Sequence, residues 1–351
     1  MSDPIAATRD PAGTDLTEQQ LAGLRAFLVD CGESPRGPLT ATLLAGGRSN
    51  LTYRLRDDVR SWALRRPPLG GVIESAHDMV REYRVVAALG PTGVPVPRAV
   101  GCDATGAVIG APAAIVDFVA GRTVRSRADL AGWTDADVAA CATALVEVLV
   151  RLHKVDPAAV GLGDFGRPGG YAARQLRRWS RQWTEMGATD PRAERLAADL
   201  GARLVDQDRS GVLHGDFRVD NTILADDDPG AVRALVDWEL STLGDPVADV
   251  ALMCAYRHPA LDGVLGIEAA WTSDRFPPVE ELRAMYEERA GRALPHWHFH
   301  LALAFYKLAV IAEGIAYRHR LGATAGEGYE GVAATVPVLL EAGLEVVGRR
   351  D

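Results

Sequence analysis

Residues 214–221 read His214-Gly215-Asp216-Phe217-Arg218-Val219-Asp220-Asn221, and residues 236–239 read Val236-Asp237-Trp238-Glu239. The two stretches supply a carboxylate at Asp216, an amide at Asn221 and a second carboxylate at Asp237. One carboxylate can orient and deprotonate an attacking hydroxyl, while an amide and another carboxylate can hold a divalent cation against phosphate groups. The spacing therefore predicts a site for phosphoryl transfer.

A hairpin is predicted between the two stretches. Thr222-Ile223-Leu224 and Ala234-Leu235-Val236 have the composition of short strands, and residues 226–230 are typical of a turn. Because the first strand would begin where the second ends, the hairpin would bring Asn221 close to Asp237. The sequence thus predicts a metal site as well as a motif.

Length and composition indicate a globular chain with two lobes. The 351 residues are enough for two cores, and 48% of them are hydrophobic and 24% charged. The formal net charge of −9 argues against a broad nucleic-acid surface, because neutralising phosphates needs a basic face. We therefore expect no nucleic-acid partner, and the composition leaves the oligomeric state open.

The sequence also indicates a cytoplasmic protein without a membrane partner. Its start lacks the basic and then apolar pattern of a signal peptide, and its four separated cysteines suit reduced thiols. The longest apolar segment, at about residues 299–316, carries Lys307 and Glu313. That segment is therefore predicted to be a core helix.

Residues 1–120 are predicted to form the first lobe, with a leading helix and a five-stranded antiparallel sheet. Thr17-Glu18-Gln19-Gln20 resembles a capping box that opens the helix. Leu51, Tyr53 and Leu55 alternate with polar residues, as in a half-buried strand. The predicted strands are 39–45, 51–55, 61–66, 98–102 and 113–119, and a helix is predicted from Ser75 to about Leu89.

Residues 121–351 are predicted to form a mostly helical second lobe. In the first predicted helix, apolar residues from Cys141 to Leu152 lie at helical spacing. The predicted helices are 137–152, 171–186, 192–206, 247–256, 280–290, 298–318 and 332–347. The fold class is therefore α+β.

Together these segments resemble the protein-kinase-like fold of small-molecule phosphotransferases, the aminoglycoside phosphotransferase and choline kinase superfamily. The resemblance covers about residues 35–345, and its specific part is 214–221 with Asp237. A closer likeness is to the kinase-like domain attached to some acyl-CoA dehydrogenases. The segments that carry it are 64–70, 81–84, 178–183 and 214–218. The resemblance implies a bilobal fold with a small antiparallel-sheet N-lobe and a mostly helical C-lobe, and ATP and Mg²⁺ as cofactors.

The resemblance implies a role for each residue of the motif. Asp216 matches the catalytic base, Asn221 would bind Mg²⁺ through its side-chain oxygen, and Asp237 would chelate the metal. Trp238-Glu239 departs from the Phe-Gly that follows this aspartate in protein kinases, so no activation segment is implied. His214 is interpreted as structural, with a second acid-base group as the alternative.

Two further aspartates have competing interpretations. Asp245, before Pro246, is interpreted as a helix N-cap, and Asp249 as a buried hydrogen-bonding residue. Additional metal ligands are the alternative for both.

A glycine-rich segment is a candidate phosphate loop. Gly46-Gly47-Arg48-Ser49-Asn50 lies between two predicted strands, where glycines let backbone N–H groups approach phosphates. Within it, Gly46, Gly47, Ser49 and Asn50 are predicted to bind the cofactor. An ordinary hairpin turn is the alternative.

The third predicted strand contains Trp62-Ala63-Leu64-Arg65, in the position of the kinase Val-Ala-Ile-Lys. Ala63 and Arg65 would share one face, with the small residue beneath adenine and the cation beside the phosphates. Arg66 is a rival for this role. Glu82 is predicted to pair with Arg65, and Asp78 is its competitor.

The strand at residues 113–119 ends at the hinge position of the family. The resemblance implies that adenine would bind backbone groups near Asp117 and Val119. An inner strand and connector without ligand contacts is the alternative.

The helix at 171–186 carries a basic stripe of four arginines, Arg174, Arg177, Arg178 and Arg181. The stripe could bind an anionic acceptor such as a coenzyme A ester, or be a solvated helix face. The predicted function is ATP-dependent phosphotransfer to a hydroxyl of a small molecule, for which the closer likeness suggests a hydroxyacyl-CoA. Aminoglycoside phosphorylation and a catalytically silent nucleotide-binding module are the alternatives.

Overall fold

Residues 15–44, 50–67, 79–167, 169–207, 209–322 and 328–349 are described by a computed structural model. The chain divides into two units. The first comprises Met1–Ala120 with Arg233–Ser241, and the second comprises Gly121–Val232 with Thr242–Asp351. The division after Ala120 falls where strands give way to helices in the sequence, whereas Arg233–Ser241 lies in the first unit and not in the helical one.

The first unit is an antiparallel sheet with two helices. Its elements are α1 (Glu18–Asp30), β1 (Thr40–Leu43), β2 (Leu51–Arg56), β3 (Ser61–Arg66), α2 (Met79–Leu89), β4 (Ala99–Asp103) and β5 (Ala113–Asp117). The strand order is β1-β2-β3-β5-β4, and every neighbouring pair is antiparallel. The predicted five-stranded antiparallel sheet is confirmed, while the predicted opening of α2 at residues 75–78 lies outside the described residues.

One face of the sheet forms the core of this unit with α1. Trp62 and Leu64 of β3 are fully buried, and Leu24 and Leu28 of α1 belong to the same hydrophobic cluster. The alternating burial along β3 leaves Ala63 and Arg65 on the other face. The sheet therefore presents the residues predicted to bind the cofactor on the side opposite its core.

The capping box predicted for α1 is present. Thr17 Oγ1 accepts a hydrogen bond from the Gln20 N–H at 3.2 Å, and Gln20 Oε1 accepts one from the Thr17 N–H at 2.9 Å. These bonds satisfy two donors that a helix start leaves open.

The segment Arg233–Ser241 belongs to the first unit because its polar groups bond there. The Leu235 N–H donates to the Pro95 carbonyl at 2.7 Å, and Arg233 Nη1 donates to the Ala120 carbonyl at 3.0 Å. A linear division of the chain into two lobes could not predict this return.

The second unit is mostly helical. Its helices are α3 (Asp135–Lys154), α4 (Tyr171–Glu185), α5 (Pro191–Ala202), α6 (Pro246–Ala255), α7 (Ala260–Leu265), α8 (Val279–Ala290), α9 (Trp297–Arg320) and α10 (Val332–Val347). Its strands are β6 (Gly211–Leu213), β7 (Thr222–Leu224) and β9 (Thr242–Gly244), and strand β8 (Val232–Leu235) runs from this unit into the first. Seven helices were predicted, whereas α7, β6 and β9 were not.

The turn predicted at residues 226–230 is confirmed. The Ala225 N–H donates to the Ala231 carbonyl at 2.9 Å, and the Ala231 N–H donates to the Asp228 carbonyl at 3.0 Å. These bonds reverse the chain between β7 and β8.

Helix α9 is a core helix of the second unit. Among the described residues it is the one helix long and apolar enough to cross a membrane by length and composition. However, 72% of its most apolar window is buried inside the protein. That burial agrees with the sequence prediction and accounts for its hydrophobicity.

Strand β9 packs closely against α4 through Gly244. A Cβ added there would lie 2.3 Å from Cδ2 of Tyr171 and 2.8 Å from Cδ1 of Leu213. The half-buried ring of Tyr171 and the buried side chain of Leu213 leave little space for an added methyl group. Gly244 therefore allows this approach immediately before Asp245 and the start of α6.

We expect Gly244→Ala to lower the free energy of unfolding by about 1–3 kcal/mol, because the added methyl overpacks the contact with Tyr171. Chemical denaturation monitored by circular dichroism measures the change. Gly348→Ala is the matched control, since a Cβ there has no atom within 4 Å. Equal stabilities for the two variants would contradict the close packing.

Candidate active site

The loop after β6 is held by one buried carboxylate. Asp249 of α6 accepts the His214 N–H at 2.7 Å through Oδ2 and the Gly215 N–H at 2.8 Å through Oδ1. Nε2 of buried His153 lies 3.3 Å from the same Oδ2. Burial alone would raise the pKa of Asp249, but His153, His214 and the backbone N–H groups lower it below its usual value. The predicted hydrogen-bonding role of Asp249 is confirmed.

Asp245 and His214 are also structural in this unit. Asp245 Oδ1 accepts the Val247 N–H at 3.0 Å, which is the predicted N-cap of α6. The imidazole Nδ1 of His214 accepts the Asp216 N–H at 3.2 Å, and His214 is fully buried. Both residues thus support the loop geometry.

The carboxylate of Asp216 is surrounded by donors. Tyr256 donates its hydroxyl hydrogen to Oδ1, and Asn221 donates Nδ2–H to Oδ2 at 2.9 Å. Arg218 Nη2 lies 3.5 Å from Oδ2, while Arg218 Nη1 lies 2.8 Å from Asp220. The side chain of Asp216 remains 15% exposed, so an incoming hydroxyl can still reach it.

These donors keep Asp216 ionised. Burial alone would raise the pKa of Asp216, but Arg218, the Tyr256 hydroxyl and Lys307 outweigh it and lower the pKa below its usual value. Burial and the charge of Asp216 hold the pKa of Tyr256 well above its usual value. Asp216 is therefore an acceptor and Tyr256 a donor at neutral pH.

Asn221 is oriented with its oxygen available. Its Nδ2 donates to the Asp216 carbonyl at 2.8 Å as well as to the carboxylate. Both bonds use the amide nitrogen, which leaves Oδ1 without a partner in the part of the chain that the structure describes. A side-chain oxygen fixed in this way suits the predicted Mg²⁺ ligand.

In the first unit, Arg65 joins two carboxylates. Arg65 Nε lies 3.1 Å from Oε2 of Glu82, and Nη2 donates to Oδ1 of Asp237 at 3.0 Å. Burial alone would lower the pKa of Arg65, but Glu82, Asp237 and Glu239 raise it above its usual value. The predicted ion pair of Arg65 with Glu82 is confirmed, and the part that these residues play in cofactor binding stays a prediction.

Asn50 extends this cluster. Its Nδ2 donates to Glu82 Oε1 at 3.0 Å and lies 3.3 Å from Glu239 Oε2. Asn50 is almost fully buried, at 2% exposure. The Asn50 amide therefore connects the carboxylates of Glu82 and Glu239. With Arg65 and Asp237 these residues form the Arg65 cluster.

Arg66 is not equivalent to Arg65. It lies on the core face of β3, is 6% exposed, and its Nε donates to the Pro67 carbonyl at 3.4 Å. Arg65 shares its face of β3 with Ala63 and bonds Glu82 and Asp237, whereas Arg66 lies on the opposite face. Which of the two arginines contacts phosphate stays a prediction.

Asp237 adopts a left-handed backbone conformation, with φ of 67°. Such a conformation is uncommon outside glycine, and aspartate and asparagine tolerate it best. Asp237 bonds Arg65 through Oδ1, and its side chain is 30% exposed. Backbone strain at a chemically suited residue supports a functional role.

Asp237 and Asn221 lie in different units, and their joint use by one metal stays a prediction. Among the described residues no group of three or more His, Cys, Asp or Glu side chains could hold a metal. Two oxygen ligands nevertheless fit Mg²⁺, which usually keeps several waters and also binds substrate phosphates.

The remaining predicted cofactor residues have different outcomes. Gly46, Gly47 and Ser49 lie outside the described residues. Asp117 accepts two hydrogen bonds from Arg98 at 2.7 Å each and donates its own N–H to the Arg98 carbonyl at 2.9 Å. Neither Asp117 nor Val119 is part of the Arg65 cluster, and their contacts with adenine stay predictions.

Sequence reasoning did not find Tyr256, Lys307 or Glu239. Tyr256 ends α6 and Lys307 lies in α9, so both reach the Asp216 loop from elements distant in the sequence. A lysine within an apolar helix was the one available signal. Glu239 was noted only as a departure from the kinase pattern.

Residues 40–303 match the model of a family described as the phosphotransferase enzyme family. The mouse acyl-CoA dehydrogenase family member 10 is 36% identical over 313 residues, which cover 88% of this chain and 28% of that protein. The rat acyl-CoA dehydrogenase family member 11 is 34% identical over 334 residues, which cover 93% of this chain and 43% of that protein. The chain thus spans less than half the length of these two relatives.

Solved structures show the same fold. A protein from Ralstonia eutropha JMP134, provisionally assigned as an aminoglycoside phosphotransferase, superposes with a TM-score of 0.79 and 30% identity, covering 93% of this chain and 97% of that one. An aminoglycoside phosphotransferase bound to ADP and hygromycin B has a TM-score of 0.60 and 14% identity, covering 93% and 99%, which supports the fold alone.

The chain belongs to the phosphotransferase enzyme family and has its kinase-like α+β fold. Membership makes it a small-molecule phosphotransferase that acts on hydroxyl groups. The resemblance inferred from the sequence is confirmed.

We expect Arg65→Lys to weaken MgATP binding by about tenfold, since an ammonium cannot bond Glu82 and Asp237 as the forked guanidinium does. Isothermal titration calorimetry measures the affinity. Arg66→Lys is the control, because Arg66 lies on the opposite face of β3. A larger loss in Arg66→Lys than in Arg65→Lys would refute the assignment.

Proposed function

We propose that the protein transfers the γ-phosphate of ATP to a hydroxyl of a hydroxyacyl-CoA-like metabolite, with Asp216 as the base. The observation that carries the proposal is the Asp216 carboxylate, ionised, partly exposed and fixed by Tyr256 and Asn221. A base held in this way can accept the hydrogen bond of an acceptor hydroxyl and direct its oxygen toward a phosphorus atom.

The reaction balances with the groups named. The acceptor oxygen forms a bond to the γ-phosphorus, and the bond from that phosphorus to the bridging oxygen breaks, which releases ADP. The hydroxyl proton passes to Asp216. Because the transition state is loose and highly charged, orientation and charge neutralisation supply most of the rate acceleration.

The cofactor assignments are part of the proposal. Asn221 and Asp237 would hold Mg²⁺, which neutralises phosphate charge when it is bound. Arg65 would lie beside the phosphates, and Ala63, which shares its face of β3, beneath the adenine. Gly46, Gly47, Ser49 and Asn50 would border the phosphates, and backbone groups of Asp117 and Val119 would bind adenine.

The acyl-CoA acceptor is supported by two observations. The relatives that match most of this chain are named acyl-CoA dehydrogenase family members. In addition, α4 exposes Arg177, Arg178 and Arg181. Arg181 lies close enough to Arg178 to contribute, after burial, to the lowering of the pKa of Arg178. A basic surface attracts the phosphates of coenzyme A.

Aminoglycosides are the second candidate acceptors. Neighbouring structures are phosphotransferases of this kind, one of them solved with hygromycin B. The exposed arginines of α4 disfavour a polycationic sugar, because like charges repel. A hydroxyacyl-CoA is therefore the first acceptor to test.

We expect Asp216→Asn to lower kcat by about 10²–10⁴-fold, since an amide cannot take the hydroxyl proton. MgATP affinity should stay near that of the wild type. A coupled ADP-release assay with a hydroxyacyl-CoA, together with calorimetry of MgATP binding, separates the two effects.

Asp237→Ala is the comparison variant, in which MgATP affinity itself should fall. A kcat for Asp216→Asn close to that of the wild type would remove Asp216 from the chemistry. MgATP binding without transfer to any acyl-CoA, amino-sugar or amino-alcohol acceptor would favour a silent nucleotide-binding module.

We expect Arg177→Glu to raise KM for a hydroxyacyl-CoA by about three- to tenfold, with a dependence on salt concentration. KM for the corresponding pantetheine thioester, which lacks the adenosine phosphates, should not change. Steady-state kinetics with both thioesters measures this difference.

Arg195→Glu on α5 is the matched control, because Arg195 is an exposed helical arginine outside the basic stripe. The same change in KM for both thioesters, or for both variants, would argue against binding of coenzyme A at α4.

A further inference from the structure

Lys307 lies against the loop that carries Asp216. Its Nζ donates to the Gly215 carbonyl at 2.7 Å and lies 5.6 Å from the centroid of the Trp179 ring. The second contact is within the range of a cation–π interaction. The ammonium of α9 is thereby fixed between the loop and an aromatic side chain of α4.

The choice of lysine at this position is informative. The chain contains only two lysines, Lys154 and Lys307, among 38 basic Lys and Arg residues. Lys154 is exposed at the end of α3. A lysine differs from an arginine in having a compact charge and a pKa that burial can move into the physiological range.

Gly215 is held through both of its backbone polar groups. Its N–H donates to Asp249 at 2.8 Å, and its carbonyl accepts Lys307. Gly215 has φ of 81°. Because glycine adopts positive and negative φ about equally readily, contacts with neighbouring groups must fix this conformation. The direction of the next residue, Asp216, depends on this peptide.

Lys307 also lines a small cavity. The cavity, which Tyr171, Gln175 and His300 line as well, has a volume of about 20 Å³. That volume is comparable to the space for one water molecule. The hydrogen bond to the Gly215 carbonyl is therefore the contact that links Lys307 to the Asp216 loop.

We propose that Lys307 is a positioning residue for phosphoryl transfer, whose ammonium fixes the Gly215 carbonyl and thereby the direction of the Asp216 carboxylate. This role rests on the proposed function of Asp216. Misplacement of a reacting group by about 1 Å can cost about a hundredfold in rate. A contact that fixes Gly215, the residue before Asp216, can therefore affect the rate strongly.

The charge of Lys307 depends on groups from each element around it. Burial lowers the pKa of Lys307 to about 8, with Arg178 of α4 acting in the same direction. Asp216 of the loop and Asp249 of α6 oppose the change. Tyr171 of α4 and His300 of α9 also line the cavity. Above about pH 8 Lys307 therefore loses its charge, and its hydrogen bond to the Gly215 carbonyl weakens.

The kinetic test uses Lys307→Met, Lys307→Arg and the control Lys154→Met, assayed with MgATP and a hydroxyacyl-CoA between pH 6 and 10. We expect the wild type and Lys154→Met to lose kcat above about pH 8. Lys307→Met should have a kcat about ten- to a hundredfold lower at neutral pH, with little change in MgATP affinity. Lys307→Arg should retain more kcat and no longer show the alkaline decline.

A wild-type kcat and alkaline decline in Lys307→Met would overturn the proposal. An alkaline decline that persists in Lys307→Arg would overturn it as well. Thermal denaturation of each variant identifies losses that are due only to unfolding.

A second measurement does not require turnover. With two lysines in the chain, ¹³Cε-lysine NMR assigns Lys307 by its absence from Lys307→Met. We expect its signal to titrate near pH 8 and the Gly215 and Asp216 amide signals to shift with the same midpoint. A midpoint near 10.5, the ordinary pKa of lysine, would overturn the proposal, as would Gly215 and Asp216 amide signals that do not shift with the titration of Lys307. Coincident midpoints in a protein that phosphorylates no acceptor would instead refute the proposed function.

Discussion

The buried carboxylate of Asp249 fixes the path of the loop that carries Asp216. Its oxygens accept hydrogen bonds from the N–H groups of His214 and Gly215, and Nε2 of His153 lies 3.3 Å from Oδ2. Two backbone donors in a dry environment need an acceptor, and a charged acceptor forms the stronger bonds. The start of α6 thus sets the path of the loop, and Tyr256 at the end of the same helix reaches the Asp216 carboxylate.

The two units carry different polar groups. In the helical unit the Asp216 carboxylate is surrounded by donors and lies beside the oriented amide of Asn221, and in the sheet unit the Arg65 guanidinium bonds Glu82 and Asp237. The short segment Arg233–Ser241 adds Asp237 and Glu239 to the sheet unit, although its neighbours in sequence are helical-unit residues. This segment therefore places two further carboxylates near Arg65, in addition to Glu82.

Local signals made much of the fold predictable. The predicted strand at 61–66 and the predicted helix at 332–347 have boundaries that agree with Ser61–Arg66 and Val332–Val347. Pro246 after Asp245 predicted the cap of α6 for a stated physical reason. In contrast, β6 and β9 have three residues each, too few for a periodic pattern, and their pairing joins segments distant in sequence.

The candidate site was predictable to the extent that its residues form a motif. Asp216, Asn221 and Asp237 have a recognisable spacing, and Glu82 follows from the strand-helix order. Tyr256 and Lys307 act across tertiary contacts, which one sequence does not encode in any local pattern. The structure places Arg65 and Arg66 on opposite faces of β3, because adjacent strand residues point to opposite faces.

The left-handed backbone of Asp237 has a consequence for how this chain can change over generations. Asparagine and glycine accept the same dihedral angles, whereas valine or isoleucine would be strained there. The tolerated replacements are therefore those that remove the negative charge and leave the backbone undisturbed. A descendant could lose its chemistry through one nucleotide change and persist as an intact, inert scaffold.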